Sequence, residues 1–507
     1  MSSLITEITA PDGYKVTLNT GLFINNEFVP GAHTIDTINP ATGKVIAAVQ
    51  AAEKEQVDLA VDAAYKAFYG GWKTSKPLER ARLMRKLADL VKRDSEDLVH
   101  LESLDNGKPL SASRMMDTDS VIEQLQYYAG FCDKLHGKVI ETEGKLSYTI
   151  HEPVGVCGGI IPWNVPMIML AWKIAPAVCT GNTIVVKTSE LTPLSALKIA
   201  ALIKEAGFPP GVVNIITGYG PTAGEALSRH MKVSKIAFTG SLATGRAIMK
   251  AAAETNLKKI TLELGGKSPS IIFDDVESVD EVVFWTHTGV FFNSGQSCCA
   301  GTRLYVQEGI YDEFIEKFKA LTLSKKVGDP FAAETFQGPQ ISEGQFNRVM
   351  NYIDIGRKEG ATCYLGGNRV GDEGYFIEPT IFTALTEYCI CFFYLDVTEN
   401  MTIMKEEIFG PVVIISKFKD IDDVIAKGND TTYGLAAGVF TSNITRAVKV
   451  SNALEAGTIW VNTYYSNSPA EPFGGYKQSG IGRECGEYAL SNYTQVKAVK
   501  INVGKSI

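Results

Sequence analysis

The sequence lacks the patterns that mark several common classes of protein. No uninterrupted apolar run reaches the roughly 18 residues that a transmembrane helix requires, so we expect no membrane span. No Cys-X-X-Cys motif is present, and the nine cysteines are odd in number and scattered along the chain. Zinc sites and redox disulfides therefore lose their usual support, no metal is expected, and a reduced intracellular protein is favoured.

An excess of basic residues is also missing. The chain has 49 Lys and Arg against 57 Asp and Glu, a net charge of −8, which argues against nucleic acid as the main partner. The N-terminal stretch up to Thr20 contains no arginine, includes Glu7 and Asp12, and has no basic region before an apolar run. This composition argues against a secretory signal and a mitochondrial presequence, so we expect a cytoplasmic protein.

Length and composition are those of a large globular protein. With 507 residues, 45% of them hydrophobic and 21% charged, the chain indicates about three folding units of roughly 150 residues each. Residues 53–69 have apolar side chains at helical spacing, and a second helix is expected from Pro77, with Ser75 as a possible cap.

From about residue 154 a pattern of strand, turn and helix repeats. Four short runs are apolar and β-prone, and each precedes a turn and a stretch that could be helical: Val154–Ile161, Thr183–Val186, Val212–Thr217 and Lys235–Phe238. Such alternation predicts crossover units and a mostly parallel sheet that is covered on both faces. A second α/β region is expected from about residue 270 to 480, so the predicted fold class is α/β.

The pair Cys298-Cys299 lies among small residues and glycines in the segment 295–301, which predicts a tight loop with backbone N–H groups near a sulfur. A free thiol has a pKa of about 8.5 and needs local help to act as a nucleophile. Adjacent cysteines are more often small buried hydrophobic residues. The segment by itself leaves both interpretations open.

Three further segments carry groups that could serve catalysis or binding. Glu263 precedes two glycines among apolar residues, where burial would make it a usable base, or it pairs with Lys267. Asn164 lies in a rigid turn between prolines and could stabilise an oxyanion, or it bonds only to its own turn. Gly240 and Ser241 link a strand to a helix, which suits a phosphate, although a simple serine cap is commoner. The run is not a Gly-X-Gly-X-X-Gly, so the motif alone supports a dinucleotide site only weakly.

Taken together and in this order, these segments resemble the aldehyde dehydrogenase superfamily, from about Phe23 to Val503. The matching segments are Asn39–Gly43, Pro162–Pro166, Lys187–Glu190, Phe238–Ser241, Glu263–Pro269, Gly295–Gly301, Glu406–Pro411 and Pro472–Lys477. The resemblance implies a Rossmann-like cofactor domain, an α/β catalytic domain and a small β arm for oligomerisation. The implied boundaries are 1–132 and 155–264 for the cofactor domain, 265–486 for the catalytic domain, and 133–154 with 487–507 for the arm.

The resemblance also implies a role for each catalytic residue. Cys298 would be the nucleophile, Glu263 the general base, and Asn164 with the backbone N–H of Cys298 the oxyanion hole. An aldehyde would be oxidised to a carboxylic acid through a thiohemiacetal and a thioester on Cys298, hydrolysed by water that Glu263 activates. Relatives that transfer the acyl group to coenzyme A tend to lack this glutamate, which favours hydrolysis.

The implied cofactor-binding residues are Ile161, Trp163, Lys187, Glu190, Gly240, Ser241, Glu407 and Phe409. Lys187 and Glu190 would hold the adenosine ribose, and the Gly240-Ser241 turn would approach the pyrophosphate. Glu407 and Phe409 would position the nicotinamide ribose. A carboxylate at the adenosine ribose favours free hydroxyls over a 2′-phosphate, so NAD is expected and NADP is less favoured.

The resemblance extends to the substrate tunnel and to assembly. The implied tunnel residues are Val165, Met169, Trp172 and Phe473, with Tyr465 and Asn467 near the mouth. This wall is apolar and partly aromatic, without an obvious Arg or Lys, which favours simple aliphatic or aromatic aldehydes over semialdehydes. The last strand, Tyr493–Val503, resembles the strand that pairs with another subunit's sheet, so a homodimer or homotetramer is expected.

One segment has no counterpart in the family pattern. Residues 384–395, ALTEYCICFFYL, separate Thr383 from Asp396, which family members join almost directly. The part from Tyr388 to Tyr394 is apolar, β-prone and uncharged, which is typical of an aggregation-prone segment. An error in the gene structure is the favoured explanation, with a surface loop or a functional lid as alternatives. The insert could also disturb the ribose contact of Glu407.

The sequence leaves two other functions open. The insert could have produced a catalytically impaired family member with a binding or structural role, although Cys298, Glu263 and Asn164 are intact. A cysteine hydrolase without a cofactor would need a histidine beside the thiol, and His287 is the nearest in sequence.

Overall fold

The computed structural model of the protein describes residues 4–383 and 398–503. The atypical segment 384–395 lies outside these residues. No helix within the described ranges combines the length and the apolar character needed to cross a membrane.

The strands and helices follow one another throughout the described chain. The strands are β1 Ile5–Thr9, β2 Lys15–Asn19, β3 Leu22–Ile24, β4 Glu27–Val29, β5 His33–Asn39, β6 Lys44–Ala51, β7 Val139–Thr142, β8 Lys145–Pro153, β9 Val156–Ile160, β10 Thr183–Thr188, β11 Val213–Thr217, β12 Val233–Thr239, β13 Lys259–Glu263, β14 Pro269–Ile272, β15 Arg303–Gln307, β16 Lys326–Val327, β17 Thr335–Gln337, β18 Thr362–Leu365, β19 Thr380–Thr383, β20 Val412–Phe418, β21 Ala436–Phe440, β22 Thr458–Val461, β23 Gly480–Ile481 and β24 Thr494–Asn502. The helices are α1 Lys54–Tyr69, α2 Pro77–Arg93, α3 Ser95–Asn106, α4 Leu110–Ala129, α5 Pro166–Cys179, α6 Leu194–Ala206, α7 Glu225–Arg229, α8 Leu242–Ala253, α9 Val279–Phe291, α10 Tyr311–Ser324, α11 Glu343–Lys358, α12 Thr402–Lys405, α13 Ile421–Asn429 and α14 Ile444–Ala453.

The first large sheet has the strand order β23-β13-β12-β9-β10-β11-β3-β4. Its strands β9 to β13 are parallel, so their carboxyl ends meet at one edge. Strands β10 and β11 extend the sheet from one side of β9, whereas β12 and β13 lie on the other side. The strand order therefore reverses between β9 and β12, and in open α/β sheets such a reversal opens a crevice for ligands.

The second large sheet has the order β18-β19-β20-β15-β14-β21-β22 and is parallel except for β18. It is built from the region predicted between residues 270 and 480. Both sheets have buried strands flanked by helices, which confirms the predicted α/β class. The domain boundaries themselves stay a prediction.

A separate three-stranded sheet has the order β24-β8-β7. Strand β24 pairs with β8 in antiparallel register from Thr494 opposite Pro153 to Asn502 opposite Lys145. The predicted terminal strand is thus confirmed, and within the described chain β24 is an edge strand. Val496, on this strand, exposes 62% of its surface. Pairing with a second subunit stays a prediction.

The predicted helices are confirmed, but one cap is wrong. Helix α1 buries the five side chains that the spacing indicated, which are Val57, Ala60, Val61, Ala64 and Phe68. Helix α2 begins at Pro77 as expected, yet its cap position is Lys76 and no side chain caps it. Ser75 instead meets Arg80, whose Nη1 donates to the Ser75 carbonyl at 2.7 Å. The Arg80 guanidinium, in the first turn of the helix, bonds both the carbonyl and the hydroxyl of Ser75, so this hydroxyl does not cap the helix.

A buried ion pair joins three distant parts of the chain. The Lys173 side chain, on α5, is fully buried. Its Nζ donates to the carboxylate of Glu484 at 2.7 Å and to the hydroxyl of Thr239 at 2.8 Å. Because Thr239 ends β12, the pair anchors α5 and the C-terminal segment beneath the carboxyl edge of the first sheet.

Replacing Lys173 by methionine should lower the free energy of unfolding by about 3–5 kcal/mol, because Glu484 would be left buried without its cation. Urea unfolding monitored by circular dichroism measures the change. The control is Lys15→Met, which removes a pair of the same 2.7 Å distance to Glu7 on the surface. This control variant should lower the free energy of unfolding by less than about 1 kcal/mol. Equal losses in the two variants would contradict the role of burial.

Candidate active site

The carboxyl ends of β9, β12 and β13 open into a cavity of about 360 Å³. Among the residues that line it are Trp163, Asn164, Val165, Met169, Trp172, Gly240, Ser241, Glu263, Cys298, Glu407, Phe409, Tyr465, Asn467 and Phe473. The cavity thus collects the three predicted catalytic residues, all predicted tunnel residues and five of the predicted cofactor residues. Ile161, Lys187 and Glu190 lie outside this lining.

The loop before Cys298 has an unusual backbone. Asn293 and Ser294 have φ angles of 51° and 58°, in the left-handed region that costs a non-glycine residue free energy. Surrounding bonds hold the loop, since the Ser294 hydroxyl donates to the Gly338 carbonyl at 2.9 Å. Strained backbone of this kind is typical of functional sites.

The surroundings of the Cys298 thiol oppose its ionisation. The Cys299 thiol, burial and the Glu263 carboxyl together raise the pKa of Cys298 well above its usual range. Cys299 itself is buried, and its carbonyl accepts a bond from the Tyr464 hydroxyl at 2.8 Å. Nucleophilic use of Cys298 therefore requires a base within reach.

Glu263 ends β13 and is only 2% exposed. Within the described residues, neither carboxylate oxygen has a hydrogen bond of ordinary geometry. Burial raises the pKa of Glu263 to about 7, partly opposed by the Cys298 thiol and the Lys173 ammonium. The alternative pairing with Lys267 is wrong: Gly265 and Gly266 carry the chain away to the second sheet, and Lys267 Nζ lacks a partner in the described structure.

Asn164 bonds beyond its own turn, contrary to the alternative left open by the sequence. Its amide Nδ2 donates to the carbonyl of Gln296 at 3.0 Å, two residues before Cys298. A side-chain amide has two N–H groups, so the second can serve a ligand oxygen in the cavity. The Asn164 carbonyl accepts bonds from the side chains of Asn106 and Asn293, at 3.1 and 2.9 Å.

Two predicted cofactor segments lie at the carboxyl ends of β10 and β12, at the same sheet edge. Ser241 caps α8, since its Oγ accepts from the Thr244 N–H at 3.3 Å, so the serine-cap interpretation is confirmed. Lys187 is buried, which lowers its pKa, and its Nζ donates to the carbonyls of Thr188 and Gly218 at 2.7 and 2.9 Å. The Glu190 carboxylate is partly exposed and lies 3.8 Å from that ammonium.

The segment from Glu407 to Phe409 forms another wall of the cavity. The Glu407 carboxylate accepts from the Gly266 N–H at 3.1 Å, and burial raises its pKa to about 7. The Phe409 ring meets Trp163 edge-on, with centroids 5.2 Å apart. Helix α11 holds this segment, because Arg348 donates to the Glu407 carbonyl at 3.0 Å and Gln345 to the Phe409 carbonyl at 2.7 Å.

The tunnel side of the cavity combines predicted and unpredicted residues. Trp172 and Phe473 pack edge to face, with centroids 5.4 Å apart. The lining residues that the sequence did not indicate include Met116, Ser120, Glu123, Gln124, Asn293, Gln345, Arg348 and Cys485. Four of them lie on one face of α4, and their helical spacing is the sequence signal that could have identified them as a set. Arg348 is the cationic side chain among the described lining residues, and it donates to the carbonyl of Glu407.

His287 cannot assist the thiol from its position. It does not line the cavity, and its ring packs against those of Phe291, Phe318 and Phe336 at centroid distances of 4.9, 5.6 and 5.3 Å. Burial lowers the pKa of His287 to about 3. His287 is therefore not the base that the hydrolase alternative requires. In the ranges that the structure describes, no group of three or more His, Cys, Asp or Glu could hold a metal ion.

Comparison with known proteins agrees with this geometry. Residues 28–499 match the sequence model of the aldehyde dehydrogenase family. An aldehyde dehydrogenase of Aspergillus niger is 54% identical over the whole of both chains, and the human mitochondrial aldehyde dehydrogenase is 52% identical over 98% of this chain and 94% of that protein. The solved NAD+ complex of the aldehyde dehydrogenase from Bacillus cereus has a TM-score of 0.92 and 48% identity over 96% of each chain. The chain belongs to the aldehyde dehydrogenase family.

Proposed function

We propose that the protein oxidises aldehydes to carboxylic acids with NAD, through a thioester on Cys298 that is hydrolysed by water activated at Glu263. The observation that carries the proposal is the shared cavity of Cys298, Glu263 and Asn164. A thiol, a buried carboxyl with a pKa of about 7 and an amide donor are the groups that acyl chemistry at neutral pH requires.

The first step forms the nucleophile. Glu263 accepts the thiol proton of Cys298, because its carboxyl has a pKa of about 7 and neither of its oxygens has a hydrogen bond of ordinary geometry within the described structure. The thiolate then attacks the aldehyde carbon, which forms a C–S bond and leaves the negative charge on the oxygen. Asn164 and the backbone N–H of Cys298 hold that oxyanion, an effect typically worth about 3–4 kcal/mol per donor.

The residues at the sheet edge fit NAD. Ser241 opens α8 at the strand-order reversal, where backbone N–H groups and the helix dipole favour a pyrophosphate. The carboxylate of Glu190 suits ribose hydroxyls and would repel a 2′-phosphate. Ser241, Glu407, Phe409 and Cys298 line the same cavity, which supports one extended molecule in contact with all four.

When bound there, NAD would supply the hydride acceptor that the oxidation of the Cys298 thiohemiacetal to a thioester requires. Glu263 releases the Cys298 proton to solvent and then takes a proton from a water molecule, whose oxygen attacks the thioester carbon. The C–S bond breaks, the carboxylic acid leaves, and Cys298 regains its proton. One carboxyl thus serves both proton transfers.

The tunnel residues favour aldehydes with an apolar body. Trp172, Phe473, Val165 and Met169 offer aromatic and aliphatic contacts. The lining cation, Arg348, is bonded to the Glu407 carbonyl and lies on the cofactor side of the proposed site, so it does not serve a second carboxylate. We infer simple aliphatic or aromatic aldehydes as substrates. The homodimer or homotetramer and the cytoplasmic location stay predictions.

The overall activity can be tested with the purified full-length protein and a panel of aliphatic and aromatic aldehydes. We expect reduced nicotinamide to form, faster with NAD than with NADP because of Glu190. Absorbance of the reduced cofactor measures the rate. A folded protein that binds NAD and turns over no aldehyde would instead support the impaired family member that the insert makes conceivable.

The nucleophile can be tested with Cys298→Ala. Aldehyde oxidation should be abolished, because the variant cannot form the C–S bond, whereas the dissociation constant for NAD should stay within about twofold, since the fold is retained. Steady-state rates and a fluorescence titration measure the two quantities. Cys299→Ala is the matched control and should stay active; the opposite pattern would move the nucleophile to Cys299.

The base can be tested with Glu263→Gln. A thioester should accumulate, because its hydrolysis needs the carboxylate, and intact-mass measurement after mixing with aldehyde and NAD detects the acyl adduct. In the parent protein the hydrolysis rate should rise with pH through about 7, since only the deprotonated carboxyl is a base and its pKa is raised to about 7.

The control for this experiment is Glu407→Gln, because the Glu407 carboxyl also has a pKa of about 7. That variant should keep the pH profile of hydrolysis. A profile that persists in Glu263→Gln and disappears in Glu407→Gln would remove Glu263 from the role of base.

A further inference from the structure

Asn106 holds the Asn164 turn from outside the cavity. It is the last residue of α3, is 1% exposed and does not line the cavity. Its Nδ2 donates to the carbonyls of Trp163 and Asn164 at 2.7 and 3.1 Å. One amide nitrogen therefore binds two successive carbonyls of the turn that carries the proposed oxyanion donor.

The same turn is bonded to the cysteine loop on its other side. The Nδ2 of Asn293 donates to the Asn164 carbonyl at 2.9 Å, and the Nδ2 of Asn164 donates to the Gln296 carbonyl at 3.0 Å. The Gln296 side chain accepts from the Ile341 N–H at 3.0 Å. A chain of amides thus runs from α3 through Asn164 to the loop of Cys298.

The anchor of Asn106 is rigid. Gly107 follows with a φ of 80°, and a Cβ there would lie 2.7 Å from Pro40 Cγ and 2.8 Å from Pro339 Cγ. The next residue, Lys108, is fully buried and bonds Asp117 at 2.7 Å. Close packing and a buried ion pair therefore prevent this end of α3 from following a displaced turn.

We propose that Asn106 is a positioning residue that sets the direction of the Asn164 amide relative to Cys298. This inference rests on the proposed function of Asn164 as oxyanion donor. Asn106 does not line the cavity but bonds two carbonyls of the turn, so it acts on the reaction through the turn. Preorganised donors stabilise a transition state only when they are held where the charge develops.

The expected loss follows from this indirect action. Asn164→Ala removes the donor and should lower kcat by about 10²–10³-fold. Asn106→Ala leaves the donor but loosens its position and should lower kcat by about tenfold or more, because small misplacements of reacting groups are costly. The KM for the aldehyde should change by less than about twofold, since Asn106 does not touch the cavity.

The experiment is a double-mutant cycle with Asn106→Ala, Asn164→Ala and the double variant in the full-length protein. Both aldehyde oxidation and hydrolysis of p-nitrophenyl acetate are measured, since the ester uses the same thiolate and oxyanion without a hydride transfer. If Asn106 acts through Asn164, Asn106→Ala should change kcat by less than about twofold in the Asn164→Ala background.

Asn256→Ala is the matched control. Its Nδ2 also donates to two backbone carbonyls, those of Met231 and Val233, both at 2.9 Å, and its Oδ1 is likewise buried without a partner in the described structure. It lies beside the amino end of β12, at the edge opposite the cavity. It should lower the melting temperature without lowering kcat. Asn106→Leu, which keeps the volume and removes the donor, replaces Asn106→Ala if that variant does not fold.

Two outcomes would overturn the proposal. One is an unchanged kcat in Asn106→Ala and Asn106→Leu. The other is the same fold-loss from Asn106→Ala with and without Asn164, which indicates a general structural effect. Failure of the proposed function is distinct: the parent protein would then not oxidise aldehydes, while the ester cycle would still report on Asn106.

Discussion

The buried ammonium of Lys173 is the interaction on which the arrangement of the cavity depends. Helix α5, which carries it, begins directly after the Asn164 turn. Thr239 precedes Gly240, and Glu484 precedes Cys485 in the cavity wall. Separating these elements would leave buried charges unpaired, which costs several kcal/mol. One bonded cation therefore holds helix α5, the end of β12 and the C-terminal segment together.

Charges without such partners lie at the proposed catalytic centre. Lys173 and Glu484 form a hydrogen-bonded ion pair, whereas Glu263 is buried near both of them without a hydrogen bond of ordinary geometry in the described structure. Its raised pKa is the direct consequence, since burial disfavours the charged form. A buried carboxyl without a partner lowers the stability of the fold, but its raised pKa allows it to act as a base near neutral pH. Both properties are typical of functional sites.

Backbone geometry and amide bonds complete the site. The left-handed residues Asn293 and Ser294 bring the cysteine loop against the Asn164 turn. The Asn106 amide donates to the turn, and the Ser294 hydroxyl donates to the Gly338 carbonyl, so both segments are held in place. These contacts join the two large sheets across the cavity. The donor and the thiol therefore keep their relative position without help from a substrate, which is what electrostatic preorganisation requires.

The sequence by itself determined the elements whose pattern is local. Helical spacing indicated the buried face of α1, β-prone runs indicated β9 to β12, and the order of the motifs indicated the family and the residues Cys298, Glu263 and Asn164. Only the tertiary structure decided that Ser75 bonds Arg80 and that Lys267 does not pair with Glu263. It also decided that Asn106 donates to carbonyls of a turn 57 and 58 residues away. The physical reason is that periodicity reports contacts within a few residues, whereas these bonds depend on how the sheets and helices pack.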